Sequence, residues 1–243
     1  MTEAAKFGYK EVLVFTSTPN EYRSVSQHLG REAFSRLGCS VIECGPGRIN
    51  ASFAASRELA ARQASGIGSV VFLGTGTSGS LSMDLRQGEV IASNSAVISD
   101  WRMEEGDQVT VSPYGWFDYR PPDPGHVERM AIECHDDLVL GLLDRLPGEG
   151  FRRGRLLTSE AFVAGKDNKL SKGATFRALA CDMESGVFAF IGDRLANVPW
   201  LNIRVVADTL DETLDDYFAM ERGVTDILGL RVAEALHILD SLL

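Results

Sequence analysis

Several short apolar runs, rich in β-branched residues, alternate with helical patterns along the chain. The clearest run is SVVFLGTG at residues 69–76, and another, WLNIRVVAD at residues 200–208, ends in a carboxylate. Runs of this kind are typical of strands that are buried on both faces of a sheet. Strands that alternate with helices predict an α/β fold. We therefore expect a single-domain three-layer α/β/α structure with a central twisted mixed β-sheet.

The same patterns predict the other main elements. They indicate further strands at residues 11–17, 40–45, 88–98 and 155–162, and helices at residues 20–38, 49–65 and 222–243. Gly38 is expected to close the first of these helices, and the last helix is expected to cover the core. No internal repeat or low-complexity linker interrupts the series.

Composition limits the size and the partners of the domain. The chain has 243 residues, of which 44% are hydrophobic, so one domain spanning residues 1–243 can bury a full core. The formal net charge is −10, which argues against nucleic acids and membrane surfaces as partners because both attract basic patches. No apolar run approaches the roughly 18 residues of a membrane span, and the N-terminus lacks the order of a signal peptide.

The cysteines and histidines show no spacing typical of a disulfide framework or a metal site. The four cysteines lie far apart and form no CxxC pair, and the four histidines form no HxxxH pair. Free thiols in a reducing cytoplasm fit this pattern better than disulfides. We therefore expect a cytoplasmic protein that uses neither a metal nor a cofactor.

Residues 100–127 break the alternation of strands and helices. This segment carries five aromatic residues and four prolines and shows little periodicity. A loop of this length inside a compact domain is usually functional or interfacial, although a plain surface loop is the simpler alternative. We expect a homodimer or larger homo-oligomer in which Trp116 and Phe117 contribute to a neighbour's pocket.

Several polar side chains follow the carboxyl ends of predicted strands, where open α/β sheets bind ligands. Three acids, Glu21, Glu184 and Asp208, would converge there with a hydroxyl-rich glycine loop, GTGTSGS, at residues 74–80. Each acid also has a simpler structural reading. Glu21 and Glu184 fit the start of a helix, and Asp208 fits a turn after a strand.

Taken in order, these pieces resemble one family. The series consists of an acid about seven residues past the first strand, a GxG turn, GTGTSG, SEAFV, DMESG and IRVVADTLDE. It resembles the nucleoside phosphorylase superfamily, specifically the 5'-methylthioadenosine/S-adenosylhomocysteine nucleosidase branch, over most of the chain. The resemblance implies a phosphorylase/hydrolase-like fold and a small nucleoside as the substrate.

The resemblance also implies catalytic roles for two carboxylates. Asp208 matches the residue that protonates the purine at N7, and Glu21 matches the residue that orients or deprotonates the attacking water. Thr77 matches a hydroxyl residue beside the water or phosphate, and Gly79 of the same segment is expected to contact the substrate. This assignment suits the chemistry, since cleaving an N-glycosidic bond forms a sugar cation and requires a proton for the departing base.

The remaining implied contacts lie along the sugar and the base. Glu184 would bind ribose hydroxyls, and Met183 would pack against the sugar face. Phe162 matches the residue that stacks on the base, with an ordinary core position as the alternative, and the backbone of Val163 would supply hydrogen bonds to the base edge.

The nucleophile and the exact substrate remain open at the level of the sequence. Phosphorolytic relatives carry arginines in the first loop and before the glycine segment, whereas this chain has Glu21 and Gly74 there, which favours water over phosphate. Arg48, or Arg23, offers partial compensation for a phosphate. Ala207 stands where the nucleosidases commonly carry a serine, so one polar tether of Asp208 is missing. The alternatives are a phosphorylase, a nucleosidase for a futalosine-type or adenosyl-lipid substrate, and an inactive nucleoside-binding protein.

Overall fold

The structure is a computed structural model, and it describes residues 9, 11–30, 37–67, 69–100, 102–105, 108–111, 128, 130–212 and 214–243. The described strands are β1 (Glu11–Thr16), β2 (Gly38–Glu43), β3 (Val70–Ser80), β4 (Val90–Ser93), β5 (Ser95–Ile98), β6 (Arg102–Glu105), β7 (Gln108–Val111), β8 (Ile132–Glu133), β9 (Phe151–Arg153), β10 (Leu156–Thr158), β11 (Ala180–Asp182) and β12 (Trp200–Asp208). The described helices are α1 (Pro19–Leu29), α2 (Arg48–Ala64), α3 (Asp137–Arg145), α4 (Lys166–Phe176), α5 (Ser185–Phe190), which a π-helical segment (Ile191–Ala196) continues, and α6 (Leu214–Leu242).

The long strand β3 is the centre of a ten-stranded mixed sheet. It pairs in parallel with β1, which itself pairs with β2, and in parallel with β12. The rest of the sheet follows the order β8-β5-β10-β11-β3-β12-β4-β9, and the β11–β3, β12–β4 and β5–β8 pairs are antiparallel. Strands β6 and β7 form a separate antiparallel pair. This mixed sheet with packed helices is the α/β architecture that the sequence predicts.

The core lies around the two strands that the sequence marks most clearly. Every residue of β3 and of β12 is buried. The main apolar cluster joins β1, β3 and β12 to the apolar faces of α1 and α6. Burial on both faces explains why the first half of β3 and most of β12 are apolar rather than alternating with polar residues. β12 runs beside β3 as far as Gly79, whereas β1 ends opposite Gly74.

The single strand predicted at residues 88–98 is wrong, because two strands, β4 and β5, meet at Asn94. The Ser93 hydroxyl donates to the carbonyl of Ser95 at 2.7 Å and accepts from its N–H at 3.2 Å. The Asn94 amide donates to the carbonyl of Cys134 at 2.9 Å. Side chains that bond the local backbone in this way compete with the strand ladder. The two strands consequently pair with different neighbours, β12 and β9 on one side of the break and β10 and β8 on the other.

The glycine loop predicted at residues 74–80 is also wrong, because this segment is the second half of β3. Glycine favours turns when only local sequence is considered. Here β12 pairs with the segment as far as Gly79, and β11 pairs with Gly79 and Ser80. Pairing with β12 and β11 supplies the hydrogen bonds that a free loop would lack, and the tertiary contacts therefore override the local signal.

Three predicted boundaries differ from the structure. The helix predicted at residues 20–38 ends at Leu29, and Gly38 begins β2 instead of closing that helix. The strand predicted at residues 155–162 ends at Thr158. The last helix begins at Leu214, eight residues before the predicted start, so its first turns reach the strand ends.

Residues 112–127, which include Trp116 and Phe117, lie outside the described residues. The proposed contribution of these aromatics to a neighbouring pocket, and the homo-oligomer itself, therefore stay predictions. None of the helices within the described ranges combines the length and the apolar character needed to cross a membrane.

Candidate active site

A cavity of about 300 Å³ lies beside the second half of β3, where β1, β11 and β12 reach their carboxyl ends. All of the residues assigned to the site from the sequence line it: Glu21, Thr77, Gly79, Phe162, Val163, Met183, Glu184 and Asp208. The sheet brings them together, since β1 and β12 run parallel to β3 and β11 runs antiparallel to it, so that all three strands end alongside the second half of β3. The predicted convergence on one crevice therefore exists in the structure.

Glu21 is held by four hydrogen bonds at the start of α1. Its Oε2 accepts from the N–H groups of Ser17 at 2.9 Å and Thr18 at 3.0 Å, and the second of these bonds completes a capping box with the Thr18 side chain. Its Oε1 accepts from the N–H of Thr77 at 2.7 Å and from the Thr77 hydroxyl at 2.9 Å. Both carboxylate oxygens of Glu21 therefore act as acceptors in these four contacts. The role of Glu21 at the start of α1 is thus compatible with the catalytic role that the resemblance implies.

Glu184 faces the cavity and does not cap the helix that follows it. Its side chain makes no capping bond to α5. Asp182 takes that role, with its Oδ1 accepting from the N–H groups of Glu184 at 3.3 Å and Ser185 at 3.2 Å. Glu184 Oε1 instead accepts from the N–H of Gly47 at 2.8 Å. Burial raises the pKa of Glu184 to about 7; the nearby Arg204 opposes this rise and Asp182 adds to it.

Arg204 is a site residue that the sequence analysis missed. It lies in the middle of β12 and is almost fully buried. Its Nε lies 2.8 Å from Asp182 Oδ2, and its Nη1 lies 3.3 Å from Glu184 Oε2. Its Nη2 has no hydrogen-bond partner among the described residues. An arginine in the middle of an apolar run was the available signal, because a buried charge requires a partner of opposite charge.

Gly76 explains part of the glycine pattern on β3. A Cβ at this position would collide with Arg204 Nη1 and would lie 3.0 Å from Glu21 Oε1. Gly79 is constrained in a similar way, since a Cβ there would lie 2.9 Å from Asp208 Oδ2. These glycines therefore make room for the charged side chains at the strand ends and do not form a turn.

Asp208 ends β12 and pairs with Lys169, a second residue that the sequence analysis missed. Lys169 Nζ lies 2.6 Å from Asp208 Oδ2, and both side chains are buried. Burial raises the pKa of Asp208, while the hydrogen bond and the charge of Lys169 lower it. Ala207 stands where the resemblance implies a serine that would bond to Asp208. In this chain Lys169 contacts Asp208 instead. Helix α4 is mostly polar and contains two further lysines, Lys166 and Lys172, so nothing in its sequence distinguishes Lys169 from them.

Three aromatic side chains form one wall of the cavity. Phe162 is 37% exposed, so it is not the ordinary core residue of the alternative reading. Its ring contacts Tyr217 edge-on with centroids 5.8 Å apart, and Tyr217 contacts Phe218 in the same way at 5.4 Å. The Tyr217 hydroxyl also lies 2.8 Å from Thr77 Oγ1. Tyr217 and Phe218 were not predicted at the site, because the last helix was expected to begin at residue 222.

Arg48 and Arg23, the possible phosphate ligands, do not line the cavity. Arg48 lies 2.9 Å from Glu160 Oε2 and 3.4 Å from Asp100 Oδ2. Arg23 is exposed and donates to Asn20 at 3.4 Å. Arg48 is thus already paired with two carboxylates, which leaves little net positive charge for an anion.

The fold and the site define an α/β protein with a cavity lined by buried carboxylates beside its central strands. The sequence model of the Phosphorylase superfamily matches residues 6–239, and the chain belongs to this superfamily. A search of curated proteins returned no sequence match.

Solved structures with the same fold come from several bacteria. Futalosine hydrolase of Helicobacter pylori superposes with a TM-score of 0.74 at 17% identity, covering 96% of this chain and 100% of that one. The 5'-methylthioadenosine/S-adenosylhomocysteine nucleosidase of Helicobacter pylori gives a TM-score of 0.75 at 17% identity, covering 95% and 99%. The corresponding nucleosidase of S. pneumoniae gives 0.71 at 19% identity, covering 95% and 98%. At identities this low, the superpositions establish a shared fold and no more.

Proposed function

We propose that this protein is a purine nucleosidase that hydrolyses the N-glycosidic bond of an adenine nucleoside. The observation that carries the proposal is the convergence of three buried carboxylates, Glu21, Glu184 and Asp208, with an aromatic wall on one cavity. Cleavage of an N-glycosidic bond generates a sugar cation and a basic leaving group. Carboxylates on the sugar side and an acid on the base side meet both requirements.

The sugar lies between Glu184 and Glu21 in this proposal. Glu184 binds the ribose hydroxyls and, in its ionised form, stabilises the sugar cation, while Met183 packs against the sugar face. Glu21 accepts a proton from the attacking water. Both Glu21 oxygens already accept hydrogen bonds, but the Thr77 hydroxyl lies within reach of Tyr217 as well as Glu21. A turn of that hydroxyl toward Tyr217 leaves Glu21 Oε1 with the Thr77 N–H alone, so that the oxygen can also accept a hydrogen bond from the water.

The base lies on the opposite side, between Phe162 and Asp208. Phe162 stacks on the purine, and the backbone of Val163 bonds its edge. Asp208 donates its proton to N7 as the bond from C1' to N9 breaks. Burial of Asp208 supports this role, because it raises the pKa of the carboxyl group and so helps it to keep its proton near neutral pH.

Water is favoured over phosphate by the charge at the sugar side of the cavity. Glu21, Asp182 and Glu184 surround Arg204, so three carboxylates stand against one cation there. A phosphate dianion placed beside Glu21 would be repelled, whereas water can donate a hydrogen bond to it. Phosphorolysis is the second candidate, and it would require Arg48 to leave its two carboxylate partners.

The substrate class within this proposal is a nucleoside of the 5'-methylthioadenosine or S-adenosylhomocysteine type. The motifs DMESG and IRVVAD support it, and solved structures with the same fold include nucleosidases for these two compounds and a futalosine hydrolase. A futalosine-type or adenosyl-lipid nucleoside remains the alternative on the 5' side. Retention of all three carboxylates argues against an inactive binding protein.

Release of free base is the direct test of the proposed function. The purified protein is incubated with adenosine, 5'-methylthioadenosine, S-adenosylhomocysteine and inosine, and released base is measured by chromatography. The same nucleosides are added in a thermal melt. Base release from an adenine nucleoside supports the proposal. A raised melting temperature without any released base would identify a binding protein instead.

Glu184→Gln is expected to lower kcat for base release by at least tenfold, because the neutral amide cannot stabilise the sugar cation. The amide oxygen can still accept from Gly47 N–H, so the fold is retained. Wild-type activity should rise as the pH increases through about 7, since Glu184 acts in its ionised form and its pKa is raised to about 7. Steady-state kinetics between pH 5 and 9 checks both effects.

The matched control for Glu184→Gln is Glu160→Gln, at an acid outside the cavity that pairs with Arg48. It should leave kcat and its pH dependence close to those of the wild type. An unchanged kcat in Glu184→Gln, or an equal loss in both variants, would contradict the role of Glu184.

A further inference from the structure

We propose that Lys169 is a positioning residue for the reaction. Its buried ammonium fixes Asp208 Oδ2 and stabilises the carboxylate that Asp208 becomes when it gives its proton to the leaving purine. This inference rests on the proposed function and assigns a role to a residue outside the cavity lining.

The two oxygens of Asp208 have different surroundings. Oδ2 lies 2.6 Å from Lys169 Nζ, whereas Oδ1 is buried without a hydrogen-bond partner among the described residues. Both oxygens pack against Gly79, because a Cβ there would lie 2.9 Å from Oδ2 and 3.1 Å from Oδ1. One oxygen is therefore engaged with Lys169, and we assign the transferred proton to the other, which has no partner among the described residues.

The position of Lys169 is energetically unfavourable unless polar partners compensate for the burial of its ammonium group. The side chain is fully buried, and it projects from the fourth residue of α4, near the helix N-terminus, where a cation meets the positive end of the dipole. Its ammonium contacts Asp208 and the carbonyl of Thr209. A buried ammonium costs several kcal/mol unless it is paired, so its partner Asp208 is what makes this location tolerable.

Two opposing influences act on the Asp208 carboxyl group. Burial raises its pKa, and so does the nearby Glu212, while Lys169 lowers it through a hydrogen bond and through its charge. Cys181 faces Asp208 from β11, but burial raises the pKa of that thiol to about 12, so it stays neutral. Without Lys169, Asp208 would bind its proton more tightly and release it less readily.

The proposed step balances as follows. The electron pair of the C1'–N9 bond moves onto the purine, and the proton on Asp208 Oδ1 passes to N7. Asp208 is left as a carboxylate with Lys169 beside Oδ2, and the sugar cation takes a hydroxyl from water, whose other proton goes to Glu21. Because the negative charge on Asp208 appears only as the proton leaves, Lys169 stabilises the transition state more than the ground state.

Lys169→Met tests this role through the pH profile of base release from the nucleoside that the wild type cleaves fastest. Loss of the positive charge raises the pKa of Asp208, so activity should persist to higher pH, with the basic limb displaced upward by about one unit or more. The maximal kcat should fall about tenfold or more, given the usual size of acid–base effects. Lys169→Arg keeps the charge and should keep the basic limb near its wild-type position.

The matched control is Lys166→Met, on the same helix. Lys166 is exposed and lies 3.2 Å from the exposed Asp211. Its profile should superimpose on that of the wild type. If Lys169→Met does not fold, Lys169→Gln carries the same prediction. A Lys169 variant with reduced activity but an unshifted basic limb would overturn the inference, because a purely structural role predicts that result.

A stability measurement tests the ion pair without reference to activity. In Asp208→Asn the buried ammonium of Lys169 loses the counter-charge that Asp208 supplies once it is ionised, at the basic end of the pH range, so there the folded form binds fewer protons than the unfolded chain. The free energy of unfolding should then rise between pH 7 and pH 9, relative to the wild type, in urea titrations. An equal pH dependence in the two proteins would overturn the inference. A wild type without base release would refute the proposed function and leave this result unaffected.

Discussion

Asp208→Asn is expected to reduce base release by about 10²–10⁴-fold, while the protein stays folded. The amide cannot give a proton to N7, and the purine must leave as an anion. The amide oxygen can still accept a hydrogen bond from Lys169 Nζ, which supports the local geometry at some cost in stability. The measurement is kcat for base release at the pH optimum, with circular dichroism to check the fold.

The nucleoside should still bind to Asp208→Asn. Phe162, Val163 and Glu184 make the contacts proposed for the base and the sugar, and this substitution leaves them unchanged. We expect KM, or the shift in melting temperature with nucleoside, to stay within a few-fold of the wild type. A variant that retains more than about a tenth of the wild-type rate would contradict the role of Asp208 as the acid.

Glu21→Gln is expected to lower kcat by about 10²-fold or more, because it removes the group that takes the proton from water. A glutamine presents one oxygen and one NH2 group to the same four donors. One pair of donors, either the N–H groups of Ser17 and Thr18 or the groups of Thr77, therefore loses its acceptor. The measurement is a comparison of kcat, KM and thermal stability with the wild type.

The loss in Glu21→Gln should lie in kcat rather than in KM. The base and 5' sides of the cavity are built from other residues, so nucleoside binding should change little. A loss of stability of about 1 kcal/mol is expected from the weakened capping box. If instead KM rises strongly and kcat is retained, Glu21 holds the substrate and does not activate the water.

The strand that carries the acid was predictable because its local and tertiary signals agree. The apolar run at residues 200–208 and the structural strand Trp200–Asp208 have the same limits, and the run ends in Asp208 in both. The strand-end rule placed Glu21 near the crevice, because it follows the predicted strand at residues 11–17. Glu184 was assigned through the DMESG motif of the family resemblance, since no strand was predicted before it.

The ion pairs could not be predicted, since each joins segments that are remote or differently patterned. Lys169 and Asp208 are 39 residues apart, and α4 is polar enough that a buried lysine is not visible in it. Arg204 and Glu184 meet only because β12 lies beside β3 near the start of α5. The glycine segment at residues 74–80 was predicted as a loop for the same reason. It forms the second half of β3 because its hydrogen-bond partners come from elsewhere in the chain.

Product analysis with and without phosphate tests the central claim, hydrolysis by water at Glu21, most directly. Adenosine, 5'-methylthioadenosine, S-adenosylhomocysteine and inosine are each incubated in phosphate-free buffer and in buffer with phosphate, and the sugar product is identified by mass spectrometry. We predict free base and free sugar in both buffers, at nearly the same rate. Turnover only with phosphate, with a sugar 1-phosphate as the product, would contradict the claim and identify the protein as a phosphorylase.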